Sequence, residues 1–469
     1  MCAMMLQVAC QQFTVKWPAM AEKVTVVGGG LAGSEAAWQI ASRRLPVRLL
    51  EMRPGKATGA HRSGDLAELV CSNSLGSMLP DRAAGVLMAE LREMRSLLLS
   101  IAEAVAVPAG RALAVDRSRF AERVTAQLES HPLIEVVREE AMAIPTGVAI
   151  LASGPLTSER FSRALARLTG EAHLYFFDAL APIVVSDSID RALVFRGSRY
   201  QPSGEGEGDY LNCPLERDEY DAFVQALLGA ERIPLRDFES AIQNGVRAGM
   251  DQFFEGCLPV EIIAERGWES LAFGPMRPVG LVDPRTGHRP YAVVQLRQDD
   301  LRAQLHNMVG FQTNLKYAEQ RRVFRMIPGL GEARFRRYGS MHRNTFINAP
   351  RVLESTLQFR DRPRLFAAGQ ICGVEGYLGN IATGLLAGVN AARLCQGQQP
   401  LRLPETTMLG ALCHYITHAD PSRFQPMKAN FGILPPLPAQ PKGGRRARAA
   451  AHAARAARDL ANAWPGSEV

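Results

Sequence analysis

Gly28, Gly30 and Gly33 stand at the spacing of a turn that brings main-chain N–H groups against phosphate, and Glu51 follows eighteen residues after Gly33. The chemistry of this pattern is dinucleotide binding. The first glycine permits a tight turn, the second lets the backbone approach a pyrophosphate, and the third lets helix pack on strand. The pyrophosphate then rests on the positive end of the helix, and a terminal carboxylate accepts from both ribose hydroxyls. The expected cofactor-binding residues here are Gly28, Gly29, Gly30, Leu31, Ala32, Gly33 and Glu51. A second glycine-rich turn, Gly369–Gly376, begins with Gly369 and Gln370 and precedes a small-residue helix. Such a turn points a second helix N-terminus at the ring of a flavin, where negative charge develops on reduction. A nicotinamide has no need of it, so the pair of turns favours bound FAD over transient NAD.

Two thiols have settings suited to chemistry. Cys257 precedes Pro259, a residue suited to the first helical position, and Gly267 suits the cap beyond the last turn. A thiolate just before a helix N-terminus is stabilised by unpaired N–H groups. The competing reading is a small buried hydrophobe. Cys71 lies beside Ser72, Asn73 and Ser74, an unusually polar setting for a structural cysteine. Cys213, Cys372, Cys395 and Cys413 have apolar or small neighbours and read as structural. His61, His342 and His414 receive no role.

The elements that must position these groups are legible as apolar runs. Val24–Val27, Val47–Leu50, Leu133–Val137 and Val148–Leu151 read as strands, with a helix over Ser34–Ser42 and helical periodicity from Gly85 to Val105. From about 170 to 325 the pattern changes to short mixed elements punctuated by Gly and Pro; a buried strand at Leu365–Ala368 and a helix over Ile381–Leu394 then resume the first pattern. The expected fold is α/β: a Rossmann-like FAD-binding domain built from discontinuous segments, 20–169 and 326–438, with an inserted α+β substrate domain at 170–325. Residues 1–19 read as a disordered extension or an upstream mis-start, and 439–469 as a basic, Ala-rich flexible tail.

With 47 % hydrophobic residues among 469, the chain can bury more than one core. No apolar run approaches the ~20 residues of a membrane span. Eight scattered cysteines without a C-x-x-C pair argue for reduced thiols in a cytoplasmic compartment, against structural zinc, and against a redox-active disulfide beside the first strand. No metal site is expected. The net charge of +7 is concentrated at the C-terminus, where six Lys/Arg from Lys442 to Arg458 face only Asp459 and Glu468. This tail reads either as a solvated appendage or as an arm that seeks RNA phosphates.

The ordered series GGGLAGSEAAWQIA, AELVCSNSLGS, VPAGRALAVDR, SGPLTS, FEGCLPVEIIAERG, FGPMRPVGLVDP, AVVQLRQDD, MVGFQTNLKYAEQ, RYGSMHRNTFINAP, GVEGY and FQPMKANFGILPP resembles the TrmFO family from Val24 to Pro436. The resemblance implies folate- and FAD-dependent formation of 5-methyluridine in the T loop of tRNA. It implies 5,10-methylenetetrahydrofolate as carbon donor, NADH or NADPH as reductant, and no obligatory protein partner. Uracil C5 is a poor nucleophile until a thiolate adds at C6, so two functional cysteines are implied. On the helix-terminus argument Cys257 is the preferred nucleophile, and Cys71 the candidate for proton abstraction or for an adduct near the flavin; the roles can be exchanged. The sequence departs from the family pattern at Leu378–Gly384 and beyond Pro441. Competing readings are the related flavoprotein that modifies wobble uridine with a partner protein, a small-molecule flavin oxidoreductase, and a tRNA-binding protein that keeps FAD as a structural ligand.

Overall fold

A computed structural model describes residues 22–170, 174–199, 208–233, 258–439 and 441–464. Mostly apolar runs suit the strands of a covered parallel sheet, and four of the predicted ones sit side by side here. The sheet order is Gln358–Phe359, Arg362–Ala367, Ala149–Leu151, Val24–Val27, Val47–Leu50, Ile134–Val137, parallel except for the first pair. The order reverses at Val24–Val27, which has the second strand on one side and Ala149–Leu151 on the other. A crevice opens at such a switch point, beyond the carboxyl ends of the strands.

The helix Leu31–Ser42 follows the first strand, and the long helix Tyr377–Cys395 lies against it. Small residues permit this approach. A Cβ on Gly384 would meet the Ala32 carbonyl oxygen at 2.2 Å, and one on Gly388 the Ala36 oxygen at 2.7 Å. Ile381, Leu385 and Leu386 are fully buried in the same core, each contributing about 1.5–3 kcal/mol of apolar burial.

The apolar stretch 85–105 forms two helices, Ala83–Glu93 and Leu97–Ala104, separated at Arg95 with φ of 57°. The cause lies on the first helix: buried Glu35 accepts from Ser96 Oγ and from the N–H groups of Leu97 and Leu98, so its carboxylate caps the second piece.

A second sheet is antiparallel throughout, in the order Phe195–Gly197, Tyr210–Leu215, Ala292–Gln298, Leu305–Met308, Ile183–Val185, Phe335–Arg337. Its core includes Tyr220 and Phe223 from the helix Arg217–Leu228, Phe324 from the helix Tyr317–Phe324, and Phe311 from the segment after the strand Leu305–Met308. Ile327, Leu330 and Ala333 belong to this core, and Phe335–Arg337 pairs with Ile183–Val185. Residues 326–337 therefore pack with the antiparallel unit, not with the second cofactor segment to which a boundary at 325 assigns them. Gly and Pro punctuation hid the continuity. A two-stranded ribbon, Leu174–Ala179 with Met341–Phe346, joins the units.

The expected flexible tail is also corrected. Gly444–Ala463 is a 20-residue helix whose Ala456 and Leu460 enter the first core. Arg455 donates to the carbonyl oxygens of Pro435 and Pro436, and Thr406 donates to Asp459. Alanine supplies helix propensity, and the Pro-rich stretch that looked like a linker supplies the docking acceptors.

Candidate active site

The glycines of the first turn serve different ends. A Cβ on Gly33 would lie 1.8 Å from the Gly28 oxygen, and one on Gly28, at φ of 103°, 2.4 Å from the Ala152 oxygen. Both are demanded by packing. A Cβ on Gly29 would strike Leu66 and Glu51, and the Gly29 N–H donates to Glu51 Oε2 at 2.8 Å. Around Gly30 a Cβ would meet nothing within 4 Å. The first bond within the helix is Ser34 N–H to the Gly30 oxygen, so the N–H groups of Leu31, Ala32 and Gly33 are the unsatisfied donors of the N-terminus. Open space before three such donors suits a pyrophosphate.

Glu51 ends the second strand, nearly fully buried. Besides Gly29, it accepts at Oε1 from Arg53 N–H at 2.9 Å and Arg53 Nε at 2.8 Å. Burial alone would raise its pKa, but the hydrogen bond and charge of Arg53, with the two main-chain donors, outweigh that and hold it below the usual carboxylate range. Arg53 also reaches Glu68 at 3.3 Å. The acid is thus fixed as a carboxylate beside the crevice, with lone pairs remaining for further donors.

A cavity of about 350 Å³ lies between the two units and brings together Cys71, Gln370, Asn344 and the first turn of the helix Tyr377–Cys395. Gly369, at φ of 80°, packs against Ala32 and lets its N–H donate to Thr383 Oγ1; Gln370 donates to Glu375. Asn380 is 8 % exposed, lines this cavity, and its Oδ1 has no hydrogen-bond partner among the described residues. A buried acceptor is costly unless something donates to it. The open Gly30 cradle fits the pyrophosphate of an FAD, and this orphaned oxygen fits its ring end.

Cys71 is held by both units. Its N–H and that of Ser72 donate to the Tyr377 hydroxyl at 2.9 and 3.1 Å. Its carbonyl oxygen accepts from Arg117 and Arg337, each at 3.1 Å. From the antiparallel sheet, Arg297 donates to Asn73 Oδ1 and Ser72 Oγ, and Asp299 pairs with Arg117 at 3.0 Å. Burial works against the charge on Arg117, yet Asp299 outweighs it and raises its pKa. Burial, then the Arg117 charge, pulls Arg337 down to about 10. Both guanidiniums thus fix the main chain that carries the Cys71 thiol.

Cys257 lies outside the described residues. The helix predicted after it is Val260–Glu265, with Pro259 as its N-cap. It has only six residues, the Val260 N–H is taken by the Gln312 oxygen at 2.7 Å, and Glu261 in its first turn is buried and bonded to Thr313 and Asn314. So short a helix, with a donor already engaged, does not by itself carry the thiolate argument. Gln312 does line the cavity, which brings the chain at Val260 beside it.

Sequence reasoning missed Arg117, Arg297, Asp299, Arg337, Tyr377 and Asn380. All but Asn380 stand inside motifs quoted above; only the folded chain shows that they converge on Cys71. Among the described residues, no group of three or more His, Cys, Asp or Glu side chains could hold a metal ion, and no helix is long and apolar enough to cross a membrane.

Comparison with known proteins gives three results. The profile of the family described as Glucose inhibited division protein A matches residues 23–399. The chain is 58 % identical over 419 residues, 89 % of its length and 93 % of the relative's, to the methylenetetrahydrofolate–tRNA-(uracil-5-)-methyltransferase TrmFO of Moorella thermoacetica. It is 56 % identical over 446 residues, 95 % and 98 % of the two chains, to that of Desulforudis audaxviator. A crystal structure of Aquifex aeolicus GidA superposes with a TM-score of 0.62 at 16 % identity, covering 84 % of this chain and 67 % of that one, a likeness of fold alone.

Proposed function

Because the chain belongs to the TrmFO family, we propose that it transfers the methylene carbon of 5,10-methylenetetrahydrofolate to C5 of the T-loop uridine of tRNA and completes it to a methyl group. The observation that carries the reading is the cavity that unites Cys71, Gln370 and a helix N-terminus beside a dinucleotide cradle, in a chain more than half identical to named methyltransferases. FAD, when bound, supplies the hydride that turns the exocyclic methylene into methyl, and NADH or NADPH recharges it. Gly30, Leu31, Ala32 and Gly33 hold its pyrophosphate, Glu51 its ribose, and Gly369, Gln370 and Asn380 its ring end.

The target base is stacked in the T loop, so it must be extruded to enter a cavity of this size. The thiolate of Cys257 adds to uracil C6, and the electron pair released to C5 attacks the methylene carbon of the folate. Proton loss from C5 then expels tetrahydrofolate and leaves an exocyclic methylene, and hydride addition to that methylene with departure of the Cys257 thiolate from C6 restores the ring as 5-methyluridine. Cys71 is the base for that proton. Arg117 and Arg337 hold its main-chain carbonyl oxygen, and the Tyr377 hydroxyl fixes the loop that carries it. No second protein is needed for this sequence, and every step suits a cytoplasmic enzyme with reduced thiols.

The test is to incubate the holoenzyme with labelled methylenetetrahydrofolate, NADH or NADPH, and undermodified tRNA, and to map the label. Label at C5 of the T-loop uridine without a second protein supports the reading; label at a wobble uridine, or none in RNA, removes it. Cys257→Ala is expected to abolish transfer while the protein stays yellow, and transfer at the normal rate would remove the nucleophile assignment.

A further inference from the structure

Among the described residues, Arg82, Arg111, Arg199, Arg277 and Arg446 line one open cleft of about 990 Å³, with Asp209 as the one carboxylate. They come from distant parts of the sequence. Arg82 precedes the helix Ala83–Glu93, Arg111 precedes the strand Ala112–Val115, Arg199 and Arg277 belong to the antiparallel unit, and Arg446 lies in the first turn of the C-terminal helix. Arg82, Arg111, Arg277 and Arg446 are exposed. Asp209 accepts from the Gly110 N–H, which fixes it as part of the wall. Arg199 donates to the Pro275 carbonyl oxygen and so ties the loop before Arg277 to the turn that follows the strand Phe195–Gly197.

This cleft adjoins the reaction cavity. Gly76 borders both, and Ser74 and Leu75 lead from one to the other along the strand Ser74–Ser77. A base placed in the smaller cavity stays attached to its polynucleotide, whose neighbouring phosphates must then lie against the adjoining surface. Guanidinium forks match phosphate oxygens two by two. The C-terminal helix is held by Ala456, Leu460 and the Arg455 bonds to Pro435 and Pro436, so Arg446 is presented from a docked element and not from a loose arm.

We propose that this cleft, with the C-terminal helix as one wall, is the binding site for the phosphate backbone of the tRNA. The inference rests on the uridine-methylating reading and adds to it the residues that grip the substrate. It assigns the basic C-terminus a fixed place in recognition.

The experiment titrates the FAD-loaded enzyme with an undermodified tRNA transcript over a range of KCl concentrations, for the wild type and for Arg111→Gln, Arg277→Gln and Arg446→Gln. Because all three side chains are exposed, these variants keep the fold. Each is expected to raise Kd about tenfold, the order of one charge-assisted hydrogen bond. Each should also reduce the slope of log K against log salt by about 0.7–0.9, one released counterion. Arg446→Lys should restore the slope. Wild-type affinity and slope in all three Gln variants would overturn the inference, and if the wild type methylates the same tRNA, the functional reading survives that result. A loss confined to the apparent affinity for oligoglutamylated methylenetetrahydrofolate would also overturn it and give the cleft to the folate tail. A wild type that binds this tRNA with the expected salt slope but places no methyl on it would remove the functional reading and leave the cleft as an RNA site.

Discussion

Glu51→Ala separates a cofactor ligand from a structural clamp. The carboxylate accepts three hydrogen bonds, from Gly29 N–H, Arg53 N–H and Arg53 Nε. Its removal leaves a guanidinium that is 3 % exposed with Glu68 as its remaining acid. Removing one partner of a buried ion pair costs about 3–5 kcal/mol, a large share of the ~5–15 kcal/mol that holds a domain together. Glu51→Gln keeps an oxygen for Gly29 and for a ribose hydroxyl, and should cost about 1–3 kcal/mol. The assay is urea unfolding with and without added FAD, alongside flavin absorbance of the purified protein. If Glu51 also holds the ribose, the extra stability conferred by FAD shrinks in the Ala variant beyond the loss already seen without it. The pH dependence has a definite sign. Because the folded pKa is lowered, the contribution of Glu51 is complete above the ordinary carboxylate value near 4.5 and disappears as pH falls through the lower folded value; the Gln variant lacks this component. An Ala variant with full flavin content and wild-type urea midpoint would refute both roles.

Glu90 behaves in the opposite sense. Burial pushes it up to about 7, despite the N–H groups of Met408 and Leu409 that it caps. Its protonated form suits the fold, so stability is lost as pH rises from about 4.5 to 7, by roughly 3 kcal/mol at ~1.4 kcal/mol per pH unit. Glu90→Gln should therefore gain on the wild type between pH 5 and pH 8 in urea unfolding; a pH-independent difference would contradict this. Leu460→Ala, at a position 2 % exposed, should cost about 2–5 kcal/mol. Cleavage by protease near Gly443 should rise if that helix is held as described, and an unchanged digestion pattern would count against it.

Much of the cofactor-binding unit was legible because its parallel strands are mostly apolar runs, although Arg48 and Glu135 interrupt two of them at exposed positions. Val24–Val27 and Val47–Leu50 have the predicted limits, and the other strands agree within a few residues. Helix starts were less legible. Leu31–Ser42 begins three residues before the predicted Ser34, and Tyr377–Cys395 four before Ile381, because glycine turns feed helices without a side-chain cap to mark the start. The setting of Cys71 was legible only as polarity. Its cations come from Arg117 and Arg337, 220 residues apart in sequence, and nothing local announces that they meet. The docked C-terminal helix was missed for another reason: alanine and arginine with almost no large apolar residues leave little amphipathic signal, although Ala456 and the lone Leu460 suffice when acceptors are already in place.

The backbone contact of Gly384 with Ala32 has a consequence for selectivity. It fixes the spacing of the two helices proposed to hold the pyrophosphate and the ring end of the cofactor, so their separation behaves as a caliper set by two missing methyl groups. A ligand is then sorted by its span: riboflavin, without a phosphate, can satisfy one jaw only, whereas a flavin that carries a phosphate closes both.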